Sequence, residues 1–120
     1  MGSKFVWYDV TAHKPDEVRE FYAALFGWPI GPDPSPGPYK GWIMDGEQPW
    51  AGVVEADDAT AGRWLPYVQV DDLDAATAKA KALGATVVQN KTDGPAGTAV
   101  TIADPGGALV ALWVPFASQG

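Results

Sequence analysis

The sequence predicts an α+β fold: two βαβββ modules that pair into an eight-stranded, incompletely closed barrel. Three observations predict it. Residues 5–10 read Phe-Val-Trp-Tyr-Asp-Val and residues 65–70 read Leu-Pro-Tyr-Val-Gln-Val, two β-type runs set 60 positions apart. Each run leads into a helix pattern that stops at a glycine, Gly27 or Gly84. Each helix is followed by three more strand candidates. A module of this kind covers one sheet face with its helix and leaves the other bare. Pairing two modules turns the bare faces into the walls of a cleft. The chain of 120 residues then divides as module one over 4–56, a linker over 57–63 and module two over 64–115, together a single domain.

The elements follow in order. The first helix starts near Pro15, because a proline costs nothing in a first turn where its N–H would be unpaired. Asp16 and Glu17 place negative charge at the positive end of the helix dipole. Val18, Phe21, Tyr22, Leu25 and Phe26 recur at three and four, predicting one apolar face. Strands are expected over 28–31, 39–45 and 50–55, with Asp45-Gly46 turning the last pair. Between the first two, Gly31 to Lys40 carries prolines at 32, 34, 36 and 38. That density blocks helix and central strand and predicts a stiff surface loop, a lid or a mere connector. In the second module Asp71 or Asp72 can cap a helix whose apolar stripe is Leu73, Ala76, Ala80 and Leu83. Strands over 85–90, 97–103 and 108–114 complete it, with Asp104-Pro105-Gly106-Gly107 as the last turn.

Composition removes several classes of function. There is no cysteine, which excludes disulfides, thiol catalysis and thiolate metal sites. His13 stands alone, so no chemistry needing two histidines fits in one chain. A net charge of -7 argues against nucleic acid as a partner. No apolar run reaches the length of a membrane span, and none at the N-terminus reads as a signal peptide, so no membrane partner and a cytoplasmic address are expected. Met1-Gly2-Ser3 reads as a cloning scar.

Three stretches carry a likeness: Phe21-Tyr22-Ala23-Ala24-Leu25-Phe26-Gly27-Trp28, Val70-Asp71-Asp72-Leu73-Asp74-Ala75-Ala76 running on to Ala82-Leu83-Gly84-Ala85, and Ala103-Asp104-Pro105-Gly106-Gly107-Ala108. In this order and spacing the chain resembles the vicinal oxygen chelate superfamily, which includes glyoxalase I, extradiol dioxygenases and the fosfomycin- and bleomycin-resistance proteins. It is most similar to the small glyoxalase-like branch with Phe-Gly-Trp after the first helix. The resemblance implies the glyoxalase/bleomycin-resistance fold and a homodimer. It also implies a divalent metal held by side chains on four strands. Carried onto this sequence, those ligand positions fall at Phe5, Leu65, Ala111 and Gly52, or Val53 if the turn holds one more residue. None offers a side-chain N, O or S to a metal. The expectation is therefore no metal and no cofactor.

Strand alternation names what lines the cleft instead. If Phe5 faces it, so do Trp7 and Asp9; if Leu65 does, so do Tyr67 and Gln69. By the same rule Trp50, Gly52 and Val54 point inward, as do Leu109, Ala111 and Trp113. Trp42 and Met44 alternate on their strand and can join them. The opposite set, Val6, Tyr8, Val10, Val68, Val70, Val110, Leu112 and Val114, suits packing against helices. An aromatic lining with sparse polar ends is the composition of a small-molecule pocket, although the tryptophans serve equally as core packing and Asp9 equally as a solvated edge carboxylate. Two function classes fit. One is a metal-free protein that binds a small aromatic or cationic molecule, as in antibiotic sequestration. The other is an enzyme, a lyase, isomerase or dioxygenase of the same superfamily with a non-standard site, in which Asp9 acts as base with Tyr67 or His13 assisting.

Overall fold

The computed structural model of the chain describes residues 4–57 and 61–116. In chain order the elements are β1 (Phe5–Ala12), α1 (Pro15–Phe26), β2 (Ile30–Pro32), β3 (Tyr39–Asp45), β4 (Gln48–Glu55), β5 (Arg63–Gln69), α2 (Leu73–Ala82), β6 (Thr86–Asp93), β7 (Gly97–Ala103) and β8 (Leu109–Pro115). This is βαβββ twice. The strands form an eight-stranded sheet in the order β2-β3-β4-β1-β5-β8-β7-β6, not closed by hydrogen bonds, so β2 and β6 are its edges. Arg63, expected in the linker, already belongs to β5; linker residues 58–60 and the first three residues lie outside the described ones. Among the described residues no helix is long and apolar enough to cross a membrane.

The chain divides into two compact units, one of residues 7–65 and one of residues 66–116 with 4–6. In the first, β1 runs parallel to β4, pairing Tyr8 with Ala51, Asp9 with Gly52 and Val10 with Val53. β3 is antiparallel to both β4 and β2. The core is Val10, Ile43, Ala51 and Val53, walled by Tyr8, Val18, Tyr22, Trp28, Trp50 and Trp64. α1 starts at Pro15 as expected and ends on Gly27, whose φ of 71° is a left-handed turn that a side chain would strain. Its N–H donates to the Ala23 carbonyl at 2.9 Å. Tyr8 and Tyr22 pack between sheet and helix, as read from the sequence.

The apolar face of α1 is narrower than its sequence suggests. Only Val18 and Tyr22, one turn apart, meet the core; Phe21, Leu25 and Phe26 are 57%, 57% and 56% exposed. At 100° per residue Phe21 and Phe26 fall roughly 60° to 80° to either side of the Val18–Tyr22 line. Leu25 lies near that line but a turn further on, and it is left uncovered too.

The segment Gly31 to Lys40 is only partly a loop. Ile30–Pro32 pairs with β3, Pro32 opposite Gly41, while Tyr39 and Lys40 already belong to β3. A proline is tolerated on β2 because β2 is an edge and needs no second ladder.

In the second unit β5 is parallel to β8, pairing Tyr67 with Ala111 and Gln69 with Trp113, and β7 is antiparallel to β8 and β6. Of the two candidate caps for α2, Asp72 is the one used: its carboxylate accepts the Ala75 N–H at 2.9 Å. Leu73, Val100 and Ile102 form the core with Val70, Ala80, Val110, Leu112 and Val114 around them. Leu83 leaves the expected stripe and is 70% exposed, because the helix has ended at Ala82 and Leu83 has turned out of its geometry as the cap. Val6, expected against a helix, is exposed as well, at the start of β1.

Candidate functional site

β1 sends Trp7 and Asp9 to one face and Tyr8 and Val10 to the other, where the latter two meet the α1 core. Asp9 is only 3% exposed, not the solvated edge carboxylate that the sequence also allowed. A buried carboxylate has to be compensated by donors, and two are in place. Trp7 Nε1 donates to Oδ1 at 2.8 Å and the Tyr39 hydroxyl donates to Oδ2 at 2.8 Å.

Gly52, paired with Asp9 on one side and with Trp42 on the other, makes the second contact possible. A Cβ there would lie 2.5 Å from Tyr39 Cε1 and 2.8 Å from Asp9 Oδ1. The missing side chain is the space in which the tyrosine ring reaches the carboxylate. The Tyr39 ring in turn stacks on Trp42, centroids 4.6 Å apart and planes 11° from parallel. Trp7 leans on Trp42 at 6.0 Å and 59°.

Trp42 carries the cluster on to the Pro-rich loop. Its Nε1 donates to Asp33 Oδ2 at 3.0 Å, while Asp33 Oδ1 accepts the Ser35 N–H at 2.9 Å and the Ser35 hydroxyl. The Ser35 hydroxyl, the Ser35 amide and then Trp42 hold the Asp33 carboxyl below its ordinary value. Trp7, Tyr39 and Trp42 are all half-buried, so their rings are partly accessible while Asp9 is covered.

Of the residues expected in the lining, the first unit brings together Trp7, Asp9 and Gly52. Trp50 is a correction. β4 bulges there, Ile43 facing Ala51 and Met44 facing Pro49, so Trp50 is skipped in the register. It turns to the α1 side, at 6.2 Å from Tyr8 and 5.0 Å from Trp28. Met44 lines a shallow hollow with Trp28 and Trp50. Leu65 is buried, and Phe5 is 48% exposed. In the second unit Tyr67 and Gln69 pair with Ala111 and Trp113; Ala111 is fully buried, Gln69 is exposed, and Tyr67, Trp113 and Leu109 are half-buried. The Trp113 indole packs over Gly97. His13 is exposed and borders a groove beside α1 with Val10, Val18, Tyr22 and Trp64.

Tyr39 and Asp33 are the residues that strand alternation misses. A second bulge explains Tyr39: it pairs with Val54 and Gly41 with Val53, leaving Lys40 extra. That shift brings Tyr39 onto the face of Trp42 although three positions separate them, where strict alternation would set them on opposite faces.

A divalent metal of the kind that the superfamily's enzymes hold does not fit these residues. The four carried-over positions offer a phenyl ring, a hydrogen and two aliphatic groups, and the space over Gly52 is filled by Tyr39. Among the described residues no group of three or more His, Cys, Asp or Glu could hold a metal ion.

The fold is that of a glyoxalase-type α+β domain, and comparison with known proteins agrees. The glyoxalase-like domain family matches residues 6–113, and the chain belongs to that family, within the vicinal oxygen chelate superfamily. It is 34% identical over 114 residues to a Mycobacterium tuberculosis protein named "Putative glyoxylase CFP32", covering 89% of this chain and 44% of that one. It is 28% identical over 131 residues to the anthracycline biosynthesis protein DnrV of Streptomyces peucetius, covering 95% and 48%. The chain thus spans less than half the length of these curated relatives. Among solved structures, the Mn(II)-bound glyoxalase from Novosphingobium aromaticivorans superposes with a TM-score of 0.59 at 17% identity, over 94% of this chain and 40% of that one. At that identity the likeness speaks to the fold alone.

Proposed function

We propose that this glyoxalase-fold protein binds a small aromatic or cationic molecule on the face built by Trp7, Asp9, Tyr39 and Trp42, and that it does so without a metal. The observation that carries the reading is the pair of bonds from Trp7 and Tyr39 to Asp9: the carboxylate is spent on holding two rings in place, where a metal enzyme would spend it on an ion. Rings fixed in this way give flat apolar surface at little entropic cost on binding. The relative named for anthracycline biosynthesis supports a polycyclic aromatic molecule as the type of ligand, and sequestration of an antibiotic is one use of such binding.

Titration of the intrinsic tryptophan fluorescence with planar compounds, 2-naphthol first, tests the reading. Saturable quenching that Trp42→Phe weakens at least fivefold is expected. A flat response across neutral and cationic planar compounds would overturn it. Elemental analysis of the purified protein is expected to find less than a tenth of an equivalent of divalent transition metal.

One observation favours an enzyme as the second reading. A phenol held 2.8 Å from a buried carboxylate is an arrangement that can pass a proton. In this version Asp9 is the base of a metal-free lyase or isomerase, and the assisting group is Tyr39, with His13 outside the cluster on the α1 groove. Turnover that survives chelation and is lost in Tyr39→Phe would establish it. A homodimer is proposed from the family resemblance, with sedimentation analysis as its check.

A further inference from the structure

Each ring of the cluster carries one polar hydrogen, and each of those hydrogens goes to a carboxylate. Trp7 Nε1 and the Tyr39 hydroxyl donate to Asp9, and Trp42 Nε1 donates to Asp33. Indole has no other donor, and a phenol has one. The donors that would otherwise meet a carbonyl, carboxylate or phosphate of a ligand are therefore already engaged. What the rings can still offer is face, in Tyr39 and Trp42 the side turned away from their mutual stack. The face is the negative part of an aromatic quadrupole, and a carboxylate accepting the edge hydrogen leaves more negative potential on it. Two carboxylates, one buried and one on the loop, are bonded to the edges of three linked rings: Trp7 at 6.0 Å from Trp42, and Trp42 at 4.6 Å from Tyr39. Lys40 is the cation near Asp33, and it is the least of the influences on that carboxyl. The net charge of -7 adds a long-range bias of the same sign.

We infer that this site selects a small organic cation, a quaternary or protonated amine, over a neutral molecule of the same shape, and that Asp33 of the Pro-rich loop is part of the site. The inference rests on the binding reading above and narrows it. A cation over these faces gains the ring attraction and both carboxylates; a neutral isostere gains only contact area. The loop then does more than connect β2 to β3, since its one carboxylate sets the charge behind Trp42.

Choline and 3,3-dimethylbutan-1-ol differ in one atom, N⁺ for C, and make the test. Both are titrated into the full chain at low salt, together with 2-naphthol, and binding is followed at the indole N–H resonances of Trp7 and Trp42. The expected result is choline binding at least tenfold more tightly than its neutral isostere. Asp33→Asn, which keeps the shape and removes the charge, is expected to weaken choline threefold or more, and by a larger factor than it weakens 2-naphthol. If the two isosteres bind within twofold of each other while 2-naphthol binds, the cation selectivity is overturned and the aromatic-ligand reading stands. If none of the three shifts either resonance, both fail. If Asp33→Asn leaves choline unchanged, Asp33 is removed from the site.

Discussion

The two halves of the molecule repeat one topology and fill it differently. In residues 7–65 the space between sheet and helix is walled by rings, Tyr8, Tyr22, Trp28, Trp50 and Trp64, and the opposite face of the sheet is again aromatic. In residues 66–116 the same space is filled by Leu73, Val70, Val100, Ile102, Val110 and Leu112, and α2 presents mainly alanines. Five tryptophans fall in the first half and only Trp113 in the second. Rings bring polar edges that need partners, and the first half supplies them side chain to side chain, Trp64 Nε1 donating to the Tyr22 hydroxyl at 3.0 Å and Trp7 and Tyr39 bonding Asp9. The second half carries fewer rings, Tyr67 and Trp113 among them. The proposed binding face lies in the aromatic repeat, and substitutions can break or sharpen the contrast between the two.

The largest effects should come where a methyl group is impossible. Gly97→Ala would place Cβ 2.1 Å from the Val114 carbonyl oxygen, a backbone atom with nowhere to go. A loss of about 3 kcal/mol or more is expected, read by urea unfolding. Gly52→Ala meets ring and carboxylate atoms, which can move, so a smaller loss of about 1–3 kcal/mol is expected. Its distinguishing sign is loss of the Tyr39–Asp9 bond and of any ligand-dependent fluorescence change, which Gly97→Ala should spare in the protein that remains folded.

Next comes the contrast of the two helices. Leu73→Ala, in the aliphatic core, should cost about 2–4 kcal/mol. Leu25→Ala on α1, already exposed, should stay within about 0.5 kcal/mol of wild type. Equal costs in thermal or chemical unfolding would mean that α1 buries more of its apolar face than described.

The smallest effect is expected from acid. The Asp33 carboxyl is depressed below its ordinary 3.8 in the folded state. Its contribution to stability is therefore complete above about that pH and is lost as the pH falls through the lower folded value. Wild type should show a slight loss in that range that Asp33→Asn lacks, seen as a change in the near-ultraviolet dichroism of the Trp42–Tyr39 stack.

The repeat, both helices, the Gly27 stop and all eight strands were legible in the sequence, because they follow from local periodicity and turn chemistry. Half of the first module's lining was legible as well: alternation put Trp7, Asp9 and Gly52 on one face. It failed where a strand carries an extra residue. The bulge at Lys40 brings Tyr39 in, and the bulge at Trp50 takes that ring out. A bulge depends on pairing with a partner strand, and no single-strand pattern reports it. The width of the α1 face was overread for a related reason: spacing says which residues share a side of a helix, and only the packed sheet decides how many it covers.

The edges of the open sheet have a further consequence. β2 is three residues long and ends in Pro32, and β6 is interrupted by two register shifts and carries Lys91 and Asp93. A flat, unbroken rim would invite backbone from a neighbouring molecule to zip onto it. Here one rim is too short and the other too crooked and too charged. Neither rim therefore offers the long, straight ladder on which fibre growth depends.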